Sequence, residues 1–175
     1  AEHALLPWLQ GCSGGVIRSH DLRVFGLTEP RVQELLGDLM DRAKNPSLAP
    51  YAKPGEVMLR LTAKGESPQD CQERMAPLFW DVRSRLGDCL YGVDVSSLEE
   101  VVITRLRQKG LTLSAAESCT GGLIAKRLTD VPGASAAVLG GVVSYTNAVK
   151  AGVLGVPRDL LEQYGAVSEL SLIHI

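Results

Sequence analysis

A serine lies in a short run of small and hydroxyl-bearing residues between a predicted strand and a predicted helix. The run is Ala116-Glu117-Ser118-Cys119-Thr120-Gly121-Gly122. Its glycines let the backbone approach a ligand closely, and the helix start offers N–H groups and a positive dipole end that suit a phosphate or an oxyanion. Ser118 is therefore a candidate nucleophile with electrostatic support. The same pattern also fits a capped turn with purely structural glycines.

A serine nucleophile needs a base, and the three histidines are poorly placed to supply one. Lys150 is the better candidate, at the end of Ser144-Tyr145-Thr146-Asn147-Ala148-Val149-Lys150. A lysine between apolar neighbours can be desolvated, and desolvated lysines act as general bases. Tyr145 could relay a proton or orient the substrate. The alternative for Lys150 is an ordinary exposed surface lysine.

Two neighbours of the serine have competing interpretations. Cys119 is a second possible nucleophile, but adjacent residues usually point in different directions, so both are not expected to serve one site. We interpret Cys119 as a small buried residue. Glu117 is expected to accept backbone hydrogen bonds in the turn rather than to act in catalysis.

The elements around this run predict an α/β layer. A helix begins at the capping-box pattern Ser97-Leu98-Glu99-Glu100 and stops at Gly110. It is followed by a strand over residues 111–115, a helix over 123–128 and an apolar, β-branched strand over 138–145. This alternation of strand, helix and strand is typical of an α/β layer, and a domain boundary is predicted near residue 95.

The preceding residues predict a smaller α+β unit. Residues 16–25 suggest a strand, and Thr28 with Pro30 suits the start of a helix. Residues 45–55 contain three prolines and predict a loop. Residues 57–63 alternate in polarity, which predicts a strand with one face inward, and residues 67–87 predict a second helix. The unit is therefore two helices on a small sheet.

Composition limits the possible functions. The 175 residues are 45% hydrophobic and 22% charged with a net charge of -2. That mix is typical of a globular protein, and the absence of a basic excess argues against a nucleic-acid partner. Four cysteines show neither a C-x-x-C pair nor zinc spacing. With no apolar run near the ~20 residues of a membrane span and no signal-peptide pattern, a cytoplasmic protein without a membrane partner is predicted.

At these motifs the sequence resembles the CinA family. Residues 116–122, 143–150 and 165–169 are similar to segments of the family's deamidase domain, and residues 51–57 and 60–64 are similar to its middle, KH-like domain. The resemblance covers residues from about 5 to 169. It implies an α+β KH-like middle domain followed by the truncated first half of an α/β deamidase domain.

The family resemblance also implies an activity. It implies hydrolysis of the carboxamide of nicotinamide mononucleotide to nicotinate mononucleotide and ammonia, without a metal or other cofactor. The implied serine–lysine mechanism carries over to Ser118 and Lys150, with Tyr145 near the substrate. The intact protein is expected to form a homo-oligomer. The residues expected to contact the substrate are Thr120, Gly121, Gly122 and Asn147.

The domain layout expected from these observations has four parts. Residues 1–15 are the end of a missing domain or a linker, 16–95 the KH-like domain, 96–169 the first half of the amidase domain and 170–175 a non-native or disordered tail. Such a fragment is expected to be inactive alone. Two other functions fit the same pattern: a non-catalytic nucleotide-binding or competence- or DNA-damage-related regulatory module, and a different nucleotide hydrolase.

Overall fold

The structure, a computed structural model, describes residues 15–169. These residues divide into two compact units, one ending at Leu98 and the other beginning at Glu99. The residues expected to form a tail, 170–175, and residues 1–14 lie outside the described part of the chain. Among residues 15–169, no helix is both long enough and apolar enough to cross a membrane.

The first unit is a four-stranded antiparallel sheet with two helices. Its strand order is β2-β3-β1-β4. A three-residue 3-10 helix, Gly87–Cys89, precedes the last strand. The elements are β1 (Val16–Phe25), α1 (Glu29–Arg42), β2 (Ser47–Lys53), β3 (Glu56–Gly65), α2 (Pro68–Leu86) and β4 (Leu90–Val93).

The apolar stripes of the two helices and one face of the sheet form the core of this unit, as the sequence predicted. Leu22 and Val24 of β1 are buried with alternate residues of β3. They pack with the helices through Leu36 and Val82, among others. Helix α2 begins as expected, since Ser67 Oγ accepts a hydrogen bond from the Asp70 N–H at 3.1 Å. The spacing of apolar residues along the sequence thus predicted β1, β3 and both helices of this unit.

The loop predicted over residues 45–55 is wrong. Residues Ser47–Lys53 form β2, which pairs with β3 along its whole length. Because β2 is an edge strand, Pro50 can occupy it although proline has no N–H to donate. The short strand β4, which pairs antiparallel with β1, was also missed, because four residues carry too little periodicity.

The second unit is a two-stranded parallel sheet, β5-β6, with helices. Its core joins Ile103 of the first helix to Leu128, Ala134 and Ala137. A 3-10 helix, Ala134–Ala136, leads into the second strand. The elements are α3 (Leu98–Lys109), β5 (Leu113–Glu117), α4 (Leu123–Thr129), β6 (Val138–Val143), α5 (Asn147–Val153) and α6 (Arg158–Tyr164).

The two parallel strands determine where the candidate residues lie. Strand β5 begins and ends two residues later than predicted, so its last residue is Glu117, which pairs with Val143 at the end of β6. The carboxyl ends of parallel strands lie at one edge of a sheet, and loops at that edge form ligand sites in α/β proteins. Residues that directly follow Glu117 and Val143 are therefore neighbours.

Candidate active site

The turn that carries Ser118 depends on two glycines with left-handed backbones. Gly121 has φ +60° and Gly122 has φ +92°, a region that other residues rarely adopt. A Cβ on Gly122 would also lie 3.2 Å from Val143 Cγ2. The Gly121 N–H donates to the Ser118 carbonyl at 3.1 Å. The glycines therefore close the turn tightly around Ser118 before α4 begins.

The carboxylate of Glu117 binds the start of α4. Glu117 is 3% exposed, and its two oxygens accept hydrogen bonds from the N–H groups of Ile124 at 2.9 Å and Ala125 at 2.8 Å. Burial alone would raise the pKa of this carboxyl, but these donors, with the Thr120 hydroxyl and the Gly122 N–H, lower it below its ordinary value. The prediction that Glu117 accepts backbone hydrogen bonds in the turn is confirmed.

This arrangement corrects one expectation about the turn. The N–H groups at the start of α4 were expected to be free for a phosphate or an oxyanion. The N–H groups of Ile124 and Ala125 instead bind Glu117, and that of Gly121 is bonded within the turn. The physical reason is that the buried Glu117 carboxylate lies beside the start of α4 and accepts hydrogen bonds from the same N–H groups that a bound anion would use.

Lys150 reaches the turn from α5. Thr146 caps this helix, accepting a hydrogen bond from the Val149 N–H at 3.3 Å. Side chains in a helix point towards its N-terminus, so the Lys150 side chain runs back towards the end of β6. It is only 2% exposed. Lys150 is therefore buried, and the alternative of an ordinary exposed surface lysine is wrong.

Lys150 and Ser118, 32 positions apart in the chain, are in hydrogen-bond contact. Lys150 Nζ lies 3.0 Å from Ser118 Oγ and donates to the Ser144 carbonyl oxygen at 2.8 Å. Within the described residues, Lys150 forms no ion pair with a carboxylate. A half-buried serine hydroxyl beside a buried amine is the arrangement in which an uncharged lysine can remove a serine proton.

Ser144 also lies in the site, although the sequence alone does not distinguish it as a functional residue. Ser144 is 1% exposed. Its Oγ and its N–H both donate to the Glu117 carbonyl oxygen, at 3.0 Å and 2.6 Å. The sequence feature that could have identified Ser144 is its position as a single small polar residue at the end of an apolar strand. A hydroxyl buried there needs a hydrogen-bond partner.

Other candidate residues are exposed. Cys119 is exposed, so its interpretation as a buried residue is wrong: the turn directs Ser118 towards Lys150 and Cys119 outward. The Tyr145 side chain is 70% exposed, and Thr120 and Asn147 are exposed as well. In the described part of the chain, neither Tyr145 nor Asn147 forms a hydrogen bond to Ser118 or Lys150. Residues 15–169 also bring together no group of three or more side chains able to hold a metal ion.

Two family models match the sequence, each over one of the structural units. The model of the damage-inducible protein CinA KH domain matches residues 19–92. The model of the CinA C-terminal domain matches residues 95–173. The second match includes Ser118, Ser144 and Lys150.

Curated relatives match nearly the whole sequence. A CinA-like protein of Dictyoglomus turgidum is 46% identical over 95% of this chain and 41% of its own length. A CinA-like protein of Kosmotoga olearia is 42% identical over 99% of this chain and 42% of its own length. The chain therefore spans about two fifths of the length of these relatives.

A solved structure is also similar in part. The competence/damage inducible protein CihA from Agrobacterium tumefaciens is 47% identical, with a TM-score of 0.43, over 44% of this chain and 47% of that one.

Proposed function

Because the chain belongs to the CinA family, with a CinA KH domain followed by a CinA C-terminal domain, we propose that the intact protein is a nicotinamide mononucleotide amidohydrolase. It converts the carboxamide of nicotinamide mononucleotide to the carboxylate of nicotinate mononucleotide and releases ammonia. The observation that carries this proposal is the 3.0 Å contact between Lys150 Nζ and Ser118 Oγ. A nucleophile with its base in contact is the minimum required for acyl transfer from an amide.

The first half of the reaction forms an acyl-enzyme. Ser118 Oγ attacks the carboxamide carbon while its proton passes to the uncharged Lys150 amine, giving a tetrahedral oxyanion. The C–N bond then breaks, Lys150 returns the proton to the departing nitrogen, and ammonia leaves. In the second half, water donates a proton to Lys150 and attacks the acyl carbon, and Ser118 regains its hydrogen as the nicotinate product leaves.

The oxyanion requires donors close to Ser118. The N–H groups of Cys119 and Thr120 form no backbone hydrogen bond within the described residues, whereas those of Gly121, Ile124 and Ala125 are engaged. We therefore assign oxyanion stabilisation to the first two, which directly follow the nucleophile. The exposed side chains of Asn147 and Tyr145 are available to contact the nucleotide. The Thr120 hydroxyl and the N–H groups of Gly121 and Gly122 already have partners in the turn, so Thr120 and the two glycines would contact the nucleotide through their other atoms.

Release of ammonia from nicotinamide mononucleotide by the intact protein tests the proposal. Ser118→Ala should lower kcat by about 10⁴-fold or more, and Lys150→Ala by nearly as much, because nucleophile and base act as a unit. Cys119→Ala, which alters the exposed neighbour of the nucleophile, is the matched control and should retain activity. Full activity of Ser118→Ala would refute the mechanism.

The same assay decides between catalysis and a binding role. If the unsubstituted protein binds nicotinamide mononucleotide but releases no ammonia, the amidase proposal fails and the non-catalytic nucleotide-binding module replaces it. Release of ammonia that depends on Ser118 supports the amidase.

A further inference from the structure

Ser144 has a buried hydroxyl that the proposed mechanism does not use. It directly follows β6 and is 1% exposed. It forms hydrogen bonds both to Lys150 and to Glu117, the residue before Ser118. Its Oγ and N–H donate to the Glu117 carbonyl oxygen at 3.0 Å and 2.6 Å. Its own carbonyl oxygen accepts from Lys150 Nζ at 2.8 Å. One residue thus connects the base to the peptide unit that precedes the nucleophile.

The two partners of Lys150 differ in what they can do. A carbonyl oxygen can only accept, so Lys150 must direct an N–H towards Ser144. A serine hydroxyl can donate or accept. An uncharged amine has two N–H groups and one lone pair, and with one N–H held by Ser144 the lone pair can turn to Ser118 Oγ at 3.0 Å.

From this geometry we propose that Ser144 is a positioning residue, which aims the lone pair of Lys150 at Ser118; the inference rests on the proposed serine–lysine function. The Ser144 hydroxyl fixes the orientation of its own peptide group against the end of β5. Its carbonyl oxygen in turn fixes the amine. When Lys150 takes the serine proton, the same oxygen faces the new ammonium ion and stabilises its charge.

The expected defect of Ser144→Ala is specific to proton transfer. The variant keeps the backbone N–H bond to Glu117 but loses the Oγ bond, so the peptide group that holds Lys150 can tilt. Binding of substrate uses other groups, so kcat should fall while KM changes little. Because a small misplacement of reacting groups lowers rates strongly, we expect about a 10-fold loss. Ser144→Thr, which keeps the hydroxyl, should restore most of the rate.

The test measures labelling of Ser118 by a fluorophosphonate probe in the intact protein, with the modified residue identified by mass spectrometry. In that reaction the Oγ–P bond forms, the P–F bond breaks, fluoride leaves and the serine proton passes to Lys150. The readout therefore reports nucleophile activation without requiring turnover of nicotinamide mononucleotide. Ile103→Val is the matched control, since it weakens the buried core of the same unit without touching the site.

Labelling slowed by about 10-fold in Ser144→Ala, unchanged in Ile103→Val and largely restored in Ser144→Thr supports the proposal. Labelling of Ser144→Ala at the unsubstituted rate overturns it, as does an equal loss in Ile103→Val, which would mean general loosening. If the unsubstituted protein is not labelled at Ser118, the serine–lysine proposal itself fails and this inference fails with it. Labelling of the unsubstituted protein is therefore measured first, before the Ser144 variants are compared.

Discussion

Replacing Lys150 by methionine separates its chemical role from its structural one. Lys150 is 2% exposed, and methionine of similar length fills the same space, so little cavity should form. The variant still loses hydrogen bonds. The buried Ser144 carbonyl oxygen loses its donor at 2.8 Å, which lowers the free energy of unfolding by about 1–3 kcal/mol. Ser118 is half-buried and can turn to water. Removing an amine that is desolvated in the fold offsets part of that cost, since burying such a group is itself unfavourable.

The net change in unfolding free energy for Lys150→Met should therefore lie within about 2 kcal/mol of zero. Lys150→Ala leaves a cavity as well and should lose about 2–5 kcal/mol, as other large-to-alanine core changes do. In a domain of this size, each kcal/mol changes Tm by about 4–8 °C. Thermal unfolding of this chain followed by circular dichroism should therefore rank Lys150→Met above Lys150→Ala.

Activity should rank the variants differently. Both Lys150 variants should lose about 10⁴-fold in kcat in the ammonia assay, because neither has a base. Lys109→Met, at the exposed end of α3, is the control and should change neither Tm nor kcat. If Lys150→Met keeps a tenth or more of the activity, or unfolds as readily as Lys150→Ala, Lys150 is structural and the reasoning is refuted.

Three further predictions concern stability. Glu117→Gln should lower the Tm of the second unit, whereas the control Glu162→Gln, at an exposed position, should not. The folded pKa of Glu117 lies below its ordinary value, so the ionised carboxylate stabilises the fold above the ordinary pKa and loses this effect as pH falls through the folded pKa. The urea midpoints of the unsubstituted protein and Glu117→Gln should therefore converge as pH falls through the folded pKa. Gly122→Ala should cost about 1–2 kcal/mol from its φ of +92° alone, and unchanged thermal unfolding would contradict this. Leu59→Ala, in the core of the first unit, should lower only that unit's stability, by about 2–5 kcal/mol, as hydrogen exchange in each unit would show.

The sequence predicted those elements whose pattern is local. Strand β3 has apolar residues at every second position from Val57 to Ala63, and α2 has a capping serine and an apolar stripe, so both were found close to their true bounds. Strand β2 was missed because three prolines in a short stretch dominate local preference, whereas its stability comes from pairing with β3. Pairing between distant segments has no local pattern, so it cannot be inferred from residue type.

The candidate site followed the same division. Ser118 and Lys150 were identifiable from motifs and residue chemistry, but their contact depends on the parallel register of β5 and β6. Ser144 was missed for the same reason, because its partners become apparent only when both strand ends are adjacent. Cys119 was misjudged since which of two adjacent residues faces inward depends on the turn, not on the polarity of either.

The role of Glu117 changes how the electrostatics of the site should be understood. A helix start next to a nucleophilic serine invites the inference that the helix dipole stabilises substrate charge. Here a buried carboxylate already binds the first free N–H groups of α4, so the helix start stabilises the protein's own turn. The same interaction that fixes Ser118 thereby removes these donors from the substrate. In the proposed reaction, stabilisation of the oxyanion would then come from the turn itself, and the substrate phosphate would be bound by groups other than the N-terminus of α4.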